Sequence, residues 1–344
     1  MIKNSVDIIT LGCSKNLVDS ERLMHRFAEA GYKVRHDPEK VSSEFVVVNT
    51  CGFIGDAKEE SVNTILEMAE HKKDAKCKAL IVTGCMAQRY KNEIIEEVPE
   101  VDAVLGTTSY GDILKAIREA MEGKHFQEFK DIDYLPEKLG KRVLTTGGHF
   151  GYLKIAEGCD KHCTYCVIPK VRGNYRSVPM EQLLAEAREL ADNGVRELIL
   201  VAQETTLYGV DLYGRKTLPT LLKKLSEIEG IRWIRLQYCY PEEITDELID
   251  TIAEEEKVCH YLDIPIQHSE DPVLRRMGRR TCKKDIVELI AKLRIRMPDI
   301  AIRTTLIAGF PGETEADHEA LMEFVNESEF DAKIIKIRVI NAIC

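Results

Sequence analysis

The chain has 344 residues, 44% of them hydrophobic and 31% charged, so it can form more than one core, because single cores stop growing near about 250–300 residues. Its formal net charge of −10 argues against binding nucleic acid through bulk charge. The amino terminus has only a short apolar run, unlike a signal peptide or a membrane span. We therefore expect a two-domain cytoplasmic protein whose eleven cysteines are metal ligands, catalytic thiols or core residues rather than disulfides.

Strands alternate with helical patterns over residues 1–122, which predicts an α/β domain with a doubly wound, flavodoxin-like parallel sheet. The predicted strands are "VDIITLG", "EFVVVNT", "KALIVTG" and "DAVLG", each followed by a helical segment. Residues 123–149 are charged, contain Pro136 and several glycines, and show no sustained period. We interpret this stretch as a linker.

A second series of alternating strands and helices occupies residues 150–344. Its strands are "GYLKIAEG", "ELILVAQ", "IRWIRLQY", "YLDIPIQ", "IRTTLIAG" and "AKIIKIRV". Six strands are fewer than the eight that close a full barrel, so we predict an open six-strand (β/α) partial barrel. The basic run "RRMGRRTCKK" at 275–284 is typical of a solvated face, or of a contact with RNA or an acidic loop.

Three cysteines stand where the first three predicted strands end. Cys13, Cys51 and Cys85 each have a glycine neighbour, at positions 12, 52 and 84. Because ligands of open α/β sheets bind beyond the carboxyl ends of the strands, the three thiols are expected to converge on a metal group. The alternative is that each is an ordinary small buried residue.

The stretch "EGCDKHCTYCVIP" places Cys159, Cys163 and Cys166 after the first strand of the second series. A structural zinc site normally has four ligands, and His162 lies between two of the cysteines, where a solvent-facing side chain is more common. Three thiolates on an iron–sulfur cluster leave one iron free to bind a substrate or cofactor. The triplet therefore favours such a cluster.

The C-x₃-C-x₂-C spacing, with Tyr165 before the last cysteine, is similar to the signature of radical S-adenosylmethionine (SAM) enzymes. The resemblance implies that the free iron chelates the methionine part of SAM and that reduction yields a 5′-deoxyadenosyl radical. It also implies cofactor contacts at Tyr165 and at the strand-end residues Gln203, Glu204 and Gly309, although ordinary loop capping is an alternative for the last three. Thr314 with Asp317 is typical of a helix start.

Both halves together resemble the radical SAM methylthiotransferases over nearly the whole chain. In that family the cysteines at 13, 51 and 85 hold a second 4Fe-4S cluster that carries sulfur, and a second SAM supplies the methyl group. An electron donor is an implied partner, no membrane is involved, and no catalytic residue is assigned.

The stretches "LGCSKNLVDSE" and "YLDIPIQHSEDPVLRRMGRR" resemble the RimO branch, whose substrate is an aspartate of the twelfth small-subunit ribosomal protein. A branch that modifies adenosine in transfer RNA is the alternative, and a non-catalytic iron–sulfur or zinc binding protein is another. Asn16 and Asp19 are interpreted as a helix N-cap and a first-turn acid.

Family members normally continue beyond "FDAKIIKIRVINAIC", the last stretch of this sequence. We therefore expect a truncated radical SAM core that lacks a carboxyl-terminal β-rich substrate-binding module. Such a chain is expected to bind its cofactors and to methylthiolate weakly.

Overall fold

The computed structural model describes residues 2–136 and 140–337, so the expectations about residues 338–344 lie outside the described residues. The chain divides into two compact units. The first comprises the residues up to Gly147 together with Val167–Arg176, and the second comprises Gly148–Cys166 together with the residues from Ser177 onward. No helix within the described ranges is long and apolar enough to cross a membrane.

The first unit is built on a parallel sheet that has six strands within the described residues. The strands are β1 Ile2–Thr10, β2 Lys33–His36, β3 Ser43–Thr50, β4 Ala79–Gly84, β5 Ala103–Leu105 and β6 Phe126–Glu128. Their order across the sheet is β2-β1-β3-β4-β5-β6. β2 lies on one side of β1 and the later strands lie on the other side, as in flavodoxin-like folds. The predicted fold class of this region is confirmed.

Helices cover both faces of this sheet. They are α1 Ser14–Glu29, α2 Gly55–Lys73, α3 Cys85–Tyr90, α4 Glu93–Glu97, α5 Ile113–Met121 and α6 Ile168–Arg172. Side chains of α1 and α5 pack on one face with Val6 and Ile8, and side chains of α2, α3 and α4 pack on the other face with Val46 and Val48. Every residue of β3 is buried, and its centre, residues 45–48, is a continuous apolar run, as expected of a strand covered on both faces.

Two strands of the first sheet escaped the sequence prediction. β2 is a short, charged edge strand, and β6 lies inside the stretch that was interpreted as a linker. The linker interpretation was wrong there, because three residues are enough to pair with β5 yet too few to show a period. Further along the same stretch, the Thr145 amide donates to Glu21 Oε1 at 2.9 Å, so this segment also packs onto the first unit.

The second unit contains another parallel sheet, again with six strands among the described residues. Its strands are β7 Phe150–Lys154, β10 Glu197–Val201, β11 Trp233–Leu236, β12 Val258–Asp263, β13 Ala301–Ala308 and β14 Ala332–Ile337. Two strands of two residues each, β8 Ala156–Glu157 and β9 Arg176–Ser177, lie outside the two large sheets. The helices are α7 Met180–Asp192, α8 Val210–Tyr213, α9 Leu218–Ser226, α10 Asp246–Glu254, α11 Asp271–Arg276, α12 Lys283–Arg296 and α13 Glu315–Glu327.

The strands of this second sheet are arranged in chain order, from β7 through β10, β11, β12 and β13 to β14. Each strand is therefore a neighbour of the next, as in a barrel wall, and the six strands that the sequence predicted are all present. The predicted start of α13 is also correct, because Thr314 and Asp317 form a reciprocal capping box. Parallel strands place all their carboxyl ends on one edge, where the predicted site residues of the second unit lie.

Candidate functional sites: two cysteine triplets

The cysteines of the first unit, Cys13, Cys51 and Cys85, follow β1, β3 and β4. Thr10 pairs with Asn49 and Thr50 pairs with Gly84, so the register of the sheet brings the following residues to the same edge. Cys51 and Cys85 are buried, and Cys13 is half-buried. The sheet therefore brings the predicted ligand set together, and the assignment of these thiols as metal ligands stays a prediction.

Two glycines occupy tightly packed positions at this edge of the sheet. Gly12 has a φ of +92°, and a Cβ on it would lie 2.6 Å from Cys51 Cβ and 2.8 Å from Cys51 Sγ. Gly84 has a φ of +95°, and a Cβ there would lie 2.4 Å from the Thr50 carbonyl oxygen. Neither position accepts a side chain without a shift of the backbone, so this edge is shaped around the sulfur atoms.

The three thiols differ in acidity because their surroundings differ. Burial raises the pKa of Cys85 to about 11, and burial also raises the pKa of Cys51. Burial acts in the same direction on Cys13, but the charges of Lys15 and Arg172 and nearby backbone hydrogen bonds lower its pKa below the ordinary value. The Cys13 charge in turn acts on both other thiols, which places all three within electrostatic reach of one another.

A buried polar cluster lies against the triplet. Asn16 Nδ2 donates to the carbonyls of Leu11 at 3.0 Å and of Thr50 at 2.9 Å, so this side chain ties the ends of β1 and β3 together. Arg172 forms a buried ion pair with Asp19, with Nη1 2.9 Å from Oδ2.

These contacts correct the interpretation of Asn16 and Asp19 as a helix cap. The N-cap residue of α1 is Cys13, and it makes no side-chain capping bond. Both side chains instead face the buried cluster from inside the helix. Local sequence could not reveal this role, because the partner arginine lies far along the chain.

The cysteines of the second unit, Cys159, Cys163 and Cys166, lie in one loop after β8. Cys159 and Cys163 are buried and Cys166 is half-buried, whereas His162 is exposed. The Cys166 amide donates to the Cys163 carbonyl at 2.9 Å, and the Thr164 amide donates to the Met277 carbonyl at 3.0 Å. Burial, with smaller effects from Glu204 and the two other cysteines, raises the pKa of Cys159 to about 12.

Of the predicted cofactor contacts, Tyr165 packs against Phe310, which follows Gly309 in the chain. The Tyr165 and Phe310 rings pack edge to face with centroids 6.4 Å apart, in a cluster that includes Val273 and Met277. Gly309 precedes Phe310 and has a φ of +73°, a conformation that favours glycine. Tyr165 and Phe310 therefore form an apolar wall beside the cysteine loop. Direct contact of Tyr165 or Gly309 with a cofactor stays a prediction.

The other two predicted contacts, Gln203 and Glu204, follow β10 and are held by neighbours. Gln203 Nε2 donates to Glu157 Oε1 at 2.7 Å, and Glu204 Oε1 accepts from the Thr206 amide at 2.9 Å. Burial raises the pKa of Glu204 to about 7. Gln203 Oε1 and Glu204 Oε2 are buried and have no hydrogen-bond partner among the described residues, as expected of groups that accept from a bound polar molecule.

Two cations of the second site were missed by sequence reasoning. Arg279 was predicted to lie on a solvated face with the rest of the basic run, but it is buried, and its guanidinium carbon lies 4.2 Å from the centre of the Tyr240 ring. Its Nε and Nη1 have no hydrogen-bond partner within the part of the chain that the structure describes. Lys161 pairs with Glu242 and Glu243. Arg279 is the one buried charged residue among the described residues 275–284, and the other charged side chains of the run concealed it.

The described residues do not bring three His, Cys, Asp or Glu side chains around one point as ligands of a single metal ion. An iron–sulfur cluster makes a different demand, because its thiolates bind different irons and need not converge on one atom. Each triplet offers three sulfur donors, and soft thiolates are the ligands that such clusters take. The donor chemistry of both triplets therefore fits an iron–sulfur cluster.

Two family models match the chain. The model described as uncharacterized protein family UPF0004 matches residues 5–106, and that of the radical SAM superfamily matches residues 153–325. A solved structure of the radical SAM methyltransferase TsrM from Kitasatospora setae is similar over 97% of this chain and 73% of its own, with a TM-score of 0.66 and 13% identity. That likeness shows the fold. The chain thus belongs to the radical SAM superfamily, a class whose cofactors are SAM and a 4Fe-4S cluster.

Curated relatives define the particular family. The ribosomal protein uS12 methylthiotransferase RimO of Lachnoclostridium phytofermentans is 62% identical over 94% of this chain and 73% of its own length. The enzyme of the same name from Clostridium botulinum strain Eklund 17B is 52% identical over 96% of this chain and 74% of its own. The chain belongs to the RimO methylthiotransferase family. These matches do not favour the transfer-RNA or non-catalytic alternatives.

Proposed function

We propose that this chain attaches a methylthio group to an unactivated carbon of an aspartate in ribosomal protein uS12, using two 4Fe-4S clusters and SAM. The observation that carries the proposal is the pair of separate cysteine triplets, each at the carboxyl edge of its own parallel sheet. One cluster is assigned to Cys159, Cys163 and Cys166. The second is assigned to the triplet Cys13, Cys51 and Cys85.

In the second unit, the residues around the cysteine loop can hold both ends of SAM. Cys159, Cys163 and Cys166 would hold the cluster, which together with SAM would supply the radical chemistry that removes hydrogen from the substrate. Glu204 Oε2 and Gln203 Oε1 are buried acceptors that suit an amino or hydroxyl group. Arg279 offers two buried donors that suit a carboxylate. Tyr165 and Phe310 exclude water from one side of the loop.

In the first unit, the chain's own residues prepare the edge for a sulfur-carrying group. Gly12 leaves room for the Cys51 thiol, and Asn16 fixes the ends of two of the three strands that carry the cysteines. Positive charge from Lys15 and Arg172 acts on Cys13 and favours thiolate over thiol. This arrangement supports a cluster whose ligands are positioned by the folded sheet.

The proposed partners are uS12, free or in the small ribosomal subunit, and an electron donor that reduces the cluster of the second unit. The proposed location is the cytoplasm, where both are found. The formal charge of −10 is compatible with a basic ribosomal protein as substrate.

A substrate competition tests the proposal. The reconstituted chain is given SAM, a reductant, and an equimolar mixture of uS12 and transfer RNA, and both are analysed by mass spectrometry. We expect methylthio addition to an aspartate of uS12, which stops when the cysteines at 159, 163 and 166 are replaced by alanine. Methylthio-adenosine with unmodified uS12 would contradict the proposal and support the transfer-RNA alternative.

A further inference from the structure

Arg172 is the largest fully buried side chain of the chain's described part, and its guanidinium donates hydrogen bonds at the amino-terminal triplet. Nε donates to Cys85 Sγ at 3.2 Å, Nη1 donates to Asp19 Oδ2 at 2.9 Å, and Nη2 donates to Asn16 Oδ1. The guanidinium thus joins one sulfur of the triplet to the helix that follows Cys13. A buried arginine that only balanced Asp19 would not need to direct Nε at a thiol.

The segment that carries Arg172 is fixed onto the first unit. Gly173 has a φ of +75°, and a Cβ there would lie 2.3 Å from Asp133 Oδ1. The same carboxylate accepts from the Asn174 amide at 2.7 Å, and Thr107 Oγ1 donates to the Val171 carbonyl at 2.9 Å. Contacts on both sides of Arg172 therefore hold its guanidinium in place, although Arg172 follows Cys166 by only six residues.

The charges explain what this position does for a cluster. A thiolate on Cys85 and the Asp19 carboxylate are both negative, and Arg172 supplies a permanent positive charge in contact with both. Hydrogen bonds to ligand sulfurs and nearby positive charge stabilise the reduced, more negative form of an iron–sulfur cluster. They also strengthen the hold of the protein on the metal group.

We propose that Arg172 is a positioning residue of the amino-terminal cluster, which retains the cluster and raises its reduction potential by donating to the Cys85 sulfur. The inference rests on the proposed function, since it requires a second cluster on this triplet. It assigns Arg172, six residues after the last cysteine of the second triplet, to the cluster of the first triplet.

The test isolates the amino-terminal cluster in the full chain by replacing the cysteines at 159, 163 and 166 with alanine. Into this parent we introduce Arg172→Lys, Arg172→Gln, and Arg172→Gln with Asp19→Asn. The double variant removes the arginine without leaving a buried carboxylate unpaired, so it protects the fold. Iron per chain, the rate of iron loss to a chelator, and the midpoint potential from an anaerobic redox titration followed by electron paramagnetic resonance are measured.

We expect the double variant to lose iron roughly tenfold faster than the parent and to have a more negative midpoint potential. Arg172→Lys keeps the positive charge but loses the planar set of guanidinium donors. Its rate of iron loss and its midpoint potential should therefore lie between those of the parent and the double variant. The matched control is Arg35→Gln, which removes a different arginine–aspartate pair, 2.6 Å between Arg35 Nη2 and Asp7 Oδ2. This control should lower the thermal unfolding temperature and leave the potential unchanged.

Three results would overturn the inference, and they are distinguishable. A double variant with the iron retention and potential of the parent would show that Arg172 only balances Asp19. A parent that takes up no iron would contradict the second cluster itself, and with it the proposed function. A fall in unfolding temperature without a shift in potential would likewise assign Arg172 a structural role only.

Discussion

The cysteines of the first unit come from three different strand ends between positions 13 and 85, whereas those of the second unit lie in one loop at positions 159–166. The first set depends on the register of a whole sheet, because only the pairing of β1, β3 and β4 brings its members together. The second set is close already in sequence. The two sites therefore differ in how much of the fold each requires.

The surroundings of the two triplets differ as well. The first triplet has Arg172, paired to the buried Asp19. The second has Glu204, whose Oε2 has no partner among the described residues, and an aromatic wall of Tyr165 and Phe310. A site whose charges are already paired suits a group that stays bound, and a site with unpaired buried acceptors suits a ligand that comes and goes.

The largest expected effect is on the site that depends on the sheet. Gly12→Val adds a side chain where Cys51 Sγ lies, so we expect it to abolish the first cluster and leave about four of about eight irons per chain. The matched control is Gly31→Val, at a φ of +85° with nothing within 4 Å. It carries similar backbone strain, of about 1–3 kcal/mol, and should keep all the iron. Equal iron in both variants would contradict the account of this edge.

Core truncation should separate the two sites by their dependence on the fold. Ile81→Ala in β4 and Leu200→Ala in β10 each remove a fully buried side chain at a cost of about 2–5 kcal/mol. In a urea titration, Ile81→Ala should release the iron of the first triplet at a lower concentration. Leu200→Ala should instead shift the fluorescence change of Trp233, which lies in β11 of the second unit.

The control for each substitution is the cysteine triplet of the other unit, whose sheet is unchanged. Iron of the second triplet should stay bound in Ile81→Ala, and iron of the first triplet should stay bound in Leu200→Ala. If either variant lost the iron of both triplets at the same urea concentration, the two sites would not depend separately on their sheets.

A smaller effect is expected from Glu204, whose pKa burial raises from its ordinary 4.5 to about 7. Because the folded state holds this proton more tightly than the unfolded state, the contribution is complete below about pH 4.5 and is lost as the pH rises through about 7. The loss is at most roughly 3 kcal/mol for a shift of this size. Glu204→Gln should flatten the free energy of unfolding of the cluster-free chain between these pH values, and an unchanged profile would contradict the burial of an ionisable carboxyl there.

Sequence patterns predicted the features that are encoded locally. Apolar runs and the turns after them identified all six strands of the second sheet and four of those in the first, including the three that precede Cys13, Cys51 and Cys85. The short strands β2 and β6 were missed because four and three residues are too few to show a period. Their place in the sheet is decided by pairing with neighbours.

The polar surroundings of the sites could not be predicted in the same way. The contact of Arg172 with Asp19 joins positions 153 residues apart, and no local pattern reports such a contact. Arg279 was hidden for a different reason, since its neighbours in the basic run are mostly exposed and give the run the appearance of a surface. The burial of Arg279 depends on its packing against Tyr240, which lies after β11, far from the basic run in sequence.

The central claim, that the chain holds two independent clusters, is tested most directly by iron and sulfide content after anaerobic reconstitution. The parent is compared with two variants in which alanine replaces the three cysteines of one triplet. We predict about eight irons in the parent and about four in each variant. An unchanged iron content on loss of the triplet at 13, 51 and 85, with all iron lost on replacement of the triplet at 159, 163 and 166, would contradict the claim.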